Sequence, residues 1–239
     1  MRPSFRFSGS GPGARTRDGC SVELYREMPY FGELEVLRPL LPAHAALLEL
    51  GCGAGRLTRV LLAMGLEVTA VDNAPGMLAA LPPGAAPVLA DIESLALARR
   101  FDVALLASGL VNHPEPATRQ AFLAAARRHL RPGGRLFVQR QDAAWLLGAP
   151  AGTTSTVGPL TIRVEAVRRT PPHVAMTVRY EAGGRTWSHA FVVAALADAQ
   201  LEEELATAGF AQAEWIDARR RWVSTMVPTS RGAARFPLG

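Results

Sequence analysis

Apolar and polar positions divide the chain into two regions of different period. Up to about residue 150, short apolar runs alternate with helical stripes. Residues 45–50 (AALLEL) predict a first strand, with glycines 51, 53 and 55 behind it and a helix over 56–64 stopped by Gly65. Residues 66–71 predict a second strand, 75–81 a short helix, 86–90 a third strand and 101–107 (FDVALLA) a fourth. A helix over 117–130 carries Phe122, Ala126 and Leu130 on one face and ends at Pro132-Gly133-Gly134, and a fifth strand is expected over 135–140. Near-continuous apolar strands alternating with helices predict a mainly parallel sheet covered on both faces. Ahead of this, residues 20–41 predict a helix with Val22, Leu24, Tyr25 and Met28 on a stripe broken by Pro29.

After residue 150 the period becomes two. Ile162, Val164 and Ala166 alternate with Arg163 and Glu165, and Val174, Met176, Val178 and Tyr180 with His173, Thr177 and Arg179. Gly183-Gly184 marks a hairpin into residues 185–193. This is the pattern of antiparallel strands with one solvated face. A helix over 198–208 and closing strands over 214–218 and 221–226 complete the chain, with no internal repeat. The Gly/Ser/Arg-rich residues 1–19 predict a flexible tail. Residues 20–239 then form one domain, with residues 151–193 as an antiparallel insertion that serves as a lid or a dimer edge.

Composition changes this picture in two respects. With 49% hydrophobic residues over 239 positions the chain can bury a full core, which excludes wholesale disorder. No apolar run approaches the roughly 20 residues of a membrane span, and the basic N-terminus lacks the apolar stretch of a secretory signal. A cytoplasmic protein is expected. All 26 basic residues are arginine and the net charge is +5, which would raise a nucleic-acid reading. The excess lies at the ends, however: residues 1–19 carry +3, residues 219–239 carry +5, and residues 20–218 carry −3. The two cysteines, Cys20 and Cys52, and five scattered histidines offer no metal-ligand spacing, so no metal is expected.

The sharpest chemical signal is Glu49-Leu50-Gly51-Cys52-Gly53-Ala54-Gly55 at a strand-to-helix junction. Glycines there permit a tight turn and a close approach of ligand to backbone. Asp72 ends the second strand about 20 residues on, where a carboxylate can accept from both ribose hydroxyls. A dinucleotide site would place its third glycine at position 56, which is Arg56 here. Glu49 suits a ligand with a cationic ammonium or sulfonium group better than a diphosphate.

With these blocks the chain resembles the class I S-adenosylmethionine-dependent methyltransferases. The motifs are LLELGCGAGRLT (47–58), VTAVDNAPGML (68–78), ADIESL (90–95), FDVALLASGLVNHP (101–114) and LRPGGRLFVQR (130–140). The resemblance is close over residues 40–141 and loose after 150, where it looks like small-molecule members with a strand insertion after the fifth strand. It implies a Rossmann-like, doubly wound α/β fold with a mainly parallel seven-stranded sheet. It also implies S-adenosylmethionine as cofactor. Glu49, Gly51, Cys52, Gly53 and Gly55 would line its methionine part and Asp72 would hold the ribose, with Asn73 and Met77 beside the adenosine. Asp91 would accept from the adenine amino group, Ile92 would pack on the ring, and Ala107 and Ser108 would border the sulfonium. Tyr25 would close over the methionine carboxylate.

Three residues are candidates for acceptor chemistry. His113, in Asn112-His113-Pro114 after the fourth strand, either orients or deprotonates an acceptor or simply turns the loop. His189 shares a strand face with Trp187 and Phe191, as a pocket wall or a packed histidine. Arg140, with Asp142, ends the fifth strand and either anchors an acidic group or makes a structural ion pair. Tyr180 and Trp145 are further possible pocket walls. The expected function is methylation of a small molecule at O, N or C in bacterial specialised metabolism, and the lysine-free composition suits a GC-rich, actinobacterial genome. No membrane partner is expected, no nucleic acid is favoured, and the chain would be a monomer or homodimer. The alternatives are an RNA or protein methyltransferase recruiting through its arginine-rich ends, or a noncatalytic S-adenosylmethionine-binding protein.

Overall fold

In the computed structural model, which describes residues 7–229, the two periodicities become two sheets. The first has seven strands: β2 (Ala46–Leu50), β3 (Glu67–Asp72), β4 (Ala86–Leu89), β5 (Phe101–Leu106), β6 (Leu130–Gln139), β11 (Glu214–Trp215) and β12 (Trp222–Met226). Their order is β11-β12-β6-β5-β2-β3-β4, parallel from β6 to β4, with β12 antiparallel to both of its neighbours. The chain reverses direction on either side of β2, which opens a crevice at the C-terminal ends of the central strands.

All five residues of β2 are buried because helices cover both faces. Leu48 and Leu50 pack with Phe122 and Leu123 of α4 (Pro116–His129) and Leu201 of α6 (Asp198–Thr207). Leu47, one position out of phase, packs with Leu57 and Leu61 of α2 (Arg56–Ala63) and with Leu34 and Leu37. Glu49 shares Leu47's side, and Thr58 of α2 donates to its Oε2 at 2.6 Å. The edge strand β4 carries Pro87 and is largely exposed, as an edge permits.

The second sheet has five antiparallel strands in the order β1-β10-β9-β8-β7. These are β1 (Ser8–Ser10), β7 (Thr154–Val157), β8 (Leu160–Thr170), β9 (His173–Ala182) and β10 (Arg185–Ala194), with Gly183 and Gly184 at positive φ in the β9–β10 hairpin. Helix α1 (Val22–Glu27) lies between the sheets, with Val22 against Ala54 and Met77 and Leu24 against Leu160 and Trp187. Among the described residues, no helix is long and apolar enough to cross a membrane.

Several elements depart from the sequence expectation. Residues 1–6 lie outside the described part, but over 7–19 the expected flexible tail is a strap built into the fold. β1 pairs with β10, the Trp187 indole N–H donates to the Pro12 carbonyl at 3.1 Å, and Arg17 donates to Asp91 at 2.6 Å. The helix expected over 20–41 stops at Glu27, because Met28, ahead of Pro29, takes an extended conformation. Pro132-Gly133-Gly134 does not precede the fifth strand but lies within it, where the β5–β6 register shifts. Helix α5 (Ala143–Gly148), capped by Asp142, and strands β1 and β7 had no counterpart in the hydrophobic pattern.

Candidate active site

Two cavities open side by side at the C-terminal ends of the central strands, of about 840 and 620 Å³. Both are walled by Asp18, Cys20, Tyr25, Ser108, Leu110 and His113, which mark the junction between them.

The first cavity is floored by the glycine turn. The N–H groups of Gly51 and Cys52 both donate to the Val71 carbonyl at 2.9 Å, which pins the turn against β3. Gly51 has φ +71°, and a Cβ there would come within 2.3 Å of Leu110 Cδ1. The Asp72 carboxylate is aimed by the backbone: Gly53 N–H donates to Oδ2 and Ala74 N–H to Oδ1, each at 2.9 Å. Burial raises its pKa and these two hydrogen bonds oppose the rise. Burial also pushes the Glu49 carboxyl up to about 7, with the Thr58 hydroxyl pulling the other way. Two carboxylates held at a cost in desolvation, beside a cradle too close for side chains, fit a ligand with a cationic group and a vicinal diol.

Of the residues expected to hold a cofactor, Tyr25, Glu49, Gly51, Cys52, Gly53, Asp72, Asn73, Met77, Ile92, Ala107 and Ser108 line this cavity. The Tyr25 ring packs over Gly53, whose added Cβ would meet Tyr25 Cδ1 at 3.4 Å. Gly55 and Asp91 are not on its wall. Gly55 instead starts α2 in the left-handed region. Asp91 Oδ1 accepts from Asn73 Nδ2 at 2.8 Å as well as from Arg17, and these bonds hold its carboxyl below the ordinary value. Both bonds fall on Oδ1 and tie Asp91 to the strap and to Asn73. Burial raises both thiols, Cys20 to about 12, which favours their protonated forms.

The second cavity lies between the two sheets and is lined by Phe31, Trp145, Ile162, Tyr180, His189 and Phe191, among others. Burial raises the pKa of Tyr25 and Tyr180, which therefore remain neutral phenols. His113 Nδ1 accepts the Glu115 N–H at 3.2 Å, so the neutral ring carries its proton on Nε2. Burial lowers its pKa and keeps it neutral. His189 sits 3.1 Å by Nε2 from the Asp18 carbonyl and packs on Phe191, tying β10 to the strap.

Arg140 lines the second cavity, but its guanidinium is already engaged. Nε donates to the Arg220 carbonyl and Nη1 to the Leu196 carbonyl, each at 2.7 Å, while Nη2 pairs with Asp198. It has no free face for an acceptor's acid, so the structural ion pair is the better account of it.

Sequence reasoning missed the strap residues Phe7, Thr16, Arg17 and Asp18 on the wall, and also Arg56 and Leu110. Arg56 was legible only as the residue that breaks a dinucleotide motif. In the fold it pairs with Glu33, stacks 5.0 Å from Phe31 and donates to Ser108 Oγ at 3.3 Å. Ser108 is held at φ 56°, a left-handed conformation uncommon for serine, with its N–H on Gln139 Oε1 at 2.8 Å.

The fold is the Rossmann-like one of solved methyltransferases, and residues 47–134 match the family described as "Methyltransferase domain". The chain is 35% identical over 120 residues to a ubiquinone biosynthesis O-methyltransferase of Xanthomonas axonopodis pv. citri, covering 45% of this chain and 49% of that protein. It thus spans about half the length of the curated relatives it matches. Among solved structures it is similar to the CcbJ methyltransferase from Streptomyces caelestis, with 22% identity, TM-score 0.69, and coverage of 87% of this chain and 95% of that one. It is also similar to CalS10 from Micromonospora echinaspora, described as an amino pentose methyltransferase (22% identity, TM-score 0.64, coverage 85% and 94%).

Proposed function

We propose that the chain is an enzyme that transfers a methyl group from S-adenosylmethionine to a small-molecule acceptor. The observation that carries this reading is the junction: a cavity floored by Gly51 and Gly53 and walled by Glu49 and Asp72 meets a second, largely apolar one at Tyr25, Ser108 and His113. The cofactor, when bound, supplies an electrophilic methyl group on a cationic sulfur. Asp72 would hold the ribose hydroxyls, Glu49 would face the positive charge of the methionine part, and Tyr25 would cover it. The first cavity falls within the roughly 300–1,000 Å³ range of small-ligand sites.

The protein's own contribution is alignment and exclusion of water. His113, with its proton on Nε2, is a hydrogen-bond donor that orients the acceptor and takes no proton from it. Tyr25 and Tyr180 add neutral hydroxyls. The second cavity lies between the sheets and suits a small molecule better than a polymer, which agrees with the amino pentose methyltransferase among its structural neighbours.

Titration calorimetry of the full chain tests the reading. S-adenosylmethionine and S-adenosylhomocysteine should bind at one site and NAD should not. Tight binding of NAD without S-adenosylmethionine would overturn it.

A further inference from the structure

The arginine-rich stretch that opens at residue 219 has no part in the function derived so far. Its first three residues form the turn between β11 and β12, and this turn is over-determined. Arg220 sits at φ 50° with its N–H on the Asp217 carbonyl at 2.9 Å. The Asp217 carboxylate accepts the N–H groups of Arg221 and Trp222 at 3.1 and 2.9 Å. From below, Arg140 donates its backbone N–H to the Arg221 carbonyl at 2.8 Å and its Nε to the Arg220 carbonyl. Arg220 itself points away from the cavity, pairing with Asp198 at 2.8 Å and lying 5.7 Å from the Trp215 ring.

The two flanking side chains are treated differently. Arg219 and Arg221 line the second cavity and not the first, and both are exposed. Among the described residues neither guanidinium has a hydrogen bond or an ion pair. The carboxylates on that cavity are committed or placed elsewhere. Glu33 pairs with Arg56, Asp142 caps α5 by accepting the Trp145 N–H at 3.0 Å, and Asp18 lies at the junction. A strained turn held by five hydrogen bonds, which brings to the cavity wall two arginines whose guanidinium groups have no partner among the described residues, is organised for an anion.

We propose that Arg219 and Arg221 form an oxyanion subsite on the acceptor side. The acceptor is then a small molecule with a flat apolar body, packed against Phe31, Trp145 and Phe191, and a carboxylate or phosphate at the end away from the junction. This rests on the methyltransferase reading and deepens it by naming the substrate class. It also gives Arg140 a positioning role, since Arg140 fixes the turn that carries the anion-binding pair.

The test uses the full chain saturated with S-adenosylhomocysteine, with binding of benzoate and phenyl phosphate compared with that of benzamide and phenol. The acids should bind at least tenfold more tightly than their uncharged counterparts and weaken in 0.5 M salt. Arg219→Gln and Arg221→Gln should each cost about tenfold in acid binding, while Arg→Lys at both positions restores most of it. Preference between benzoate and phenyl phosphate identifies the carboxylate or phosphate as the natural group. Equal binding of acids and uncharged probes, no acid binding at 10 mM, or acid binding unchanged in the double glutamine variant would each overturn the subsite. S-adenosylhomocysteine binding is read in the same samples: its absence from the wild-type chain overturns the methyltransferase reading instead.

Discussion

Glu49 is the residue at which stability and function oppose each other most directly. Its carboxyl is buried with Thr58 as a hydrogen-bond partner, and burial pushes it from 4.5 up to about 7. Because the folded-state value lies above the unfolded one, the protonated form is favoured by folding. That contribution is fully present below pH 4.5 and is lost as pH rises to 7, amounting to roughly 3 kcal/mol. Glu49→Gln keeps an acceptor for Thr58 and removes the charge. It should therefore leave stability unchanged at pH 4.5 and raise the denaturation midpoint at pH 8, as chemical denaturation at the two pH values would show. A cationic ligand draws Glu49 into its ionised form, so S-adenosylmethionine affinity should rise with pH through about 7 in the wild type and lose this dependence in the variant. Asp72→Ala, which removes the acceptor for the Gly53 and Ala74 N–H groups, should weaken cofactor binding at least tenfold; calorimetry showing unchanged affinity would refute the ribose assignment.

At the scale of elements, the acceptor side depends on how α4 meets α6. Arg119 of α4 is almost fully buried and donates through Nε to Glu204 of α6 at 2.9 and 3.1 Å, while Nη1 donates to the His113 carbonyl at 2.8 Å. One guanidinium thus joins two helices and fixes the loop that presents His113. Glu204→Ala would leave that charge buried without its partner, at a cost of about 3–5 kcal/mol in urea denaturation. Replacing both residues with leucine should recover most of the stability but leave the His113 carbonyl unpaired, so the acceptor KM should remain raised while S-adenosylhomocysteine affinity returns to normal. The helical period places Arg119 three residues before Phe122, on the buried face, but does not signal its partner. Arg119 stands in the sequence as one more arginine on a helix, and only the approach of α6, 85 residues later, makes it interior.

At the scale of the molecule, the strap over residues 7–20 joins the two sheets across the first cavity. It adds β1 to the antiparallel sheet, covers Trp187 with the Pro12 carbonyl and reaches Asp91 at the edge of the parallel one. Deleting residues 1–12 would remove β1 and leave the indole N–H of Trp187, a residue now 1% exposed, without its acceptor. The variant should show red-shifted tryptophan emission and faster release of S-adenosylhomocysteine, measured by stopped-flow, with the parallel sheet still folded.

The parallel sheet was legible because its determinants are local. A strand buried on both faces is apolar at nearly every position, with Glu49 the exception here, a tight turn at positive φ calls for glycine, and a carboxylate that follows an apolar run stands at a strand end. Residues 45–50, Gly51, Gly53 and Asp72 satisfy these conditions with no knowledge of the rest of the chain. What tertiary structure decided is the use of polar side chains whose partners are distant in sequence. Gly, Ser and Arg bury little on their own, so residues 1–19 carry the pattern of a loose tail, yet Ser8–Ser10 pair with β10 and the Arg17 side chain reaches Asp91. Arg140 could serve an acceptor or the fold until Leu196, Asp198 and Arg220 closed around it. Charge in a sequence can be counted but not placed: the same stretch of arginines contains Arg220, spent on Asp198, and Arg219 and Arg221, which line the second cavity with no guanidinium partner among the described residues.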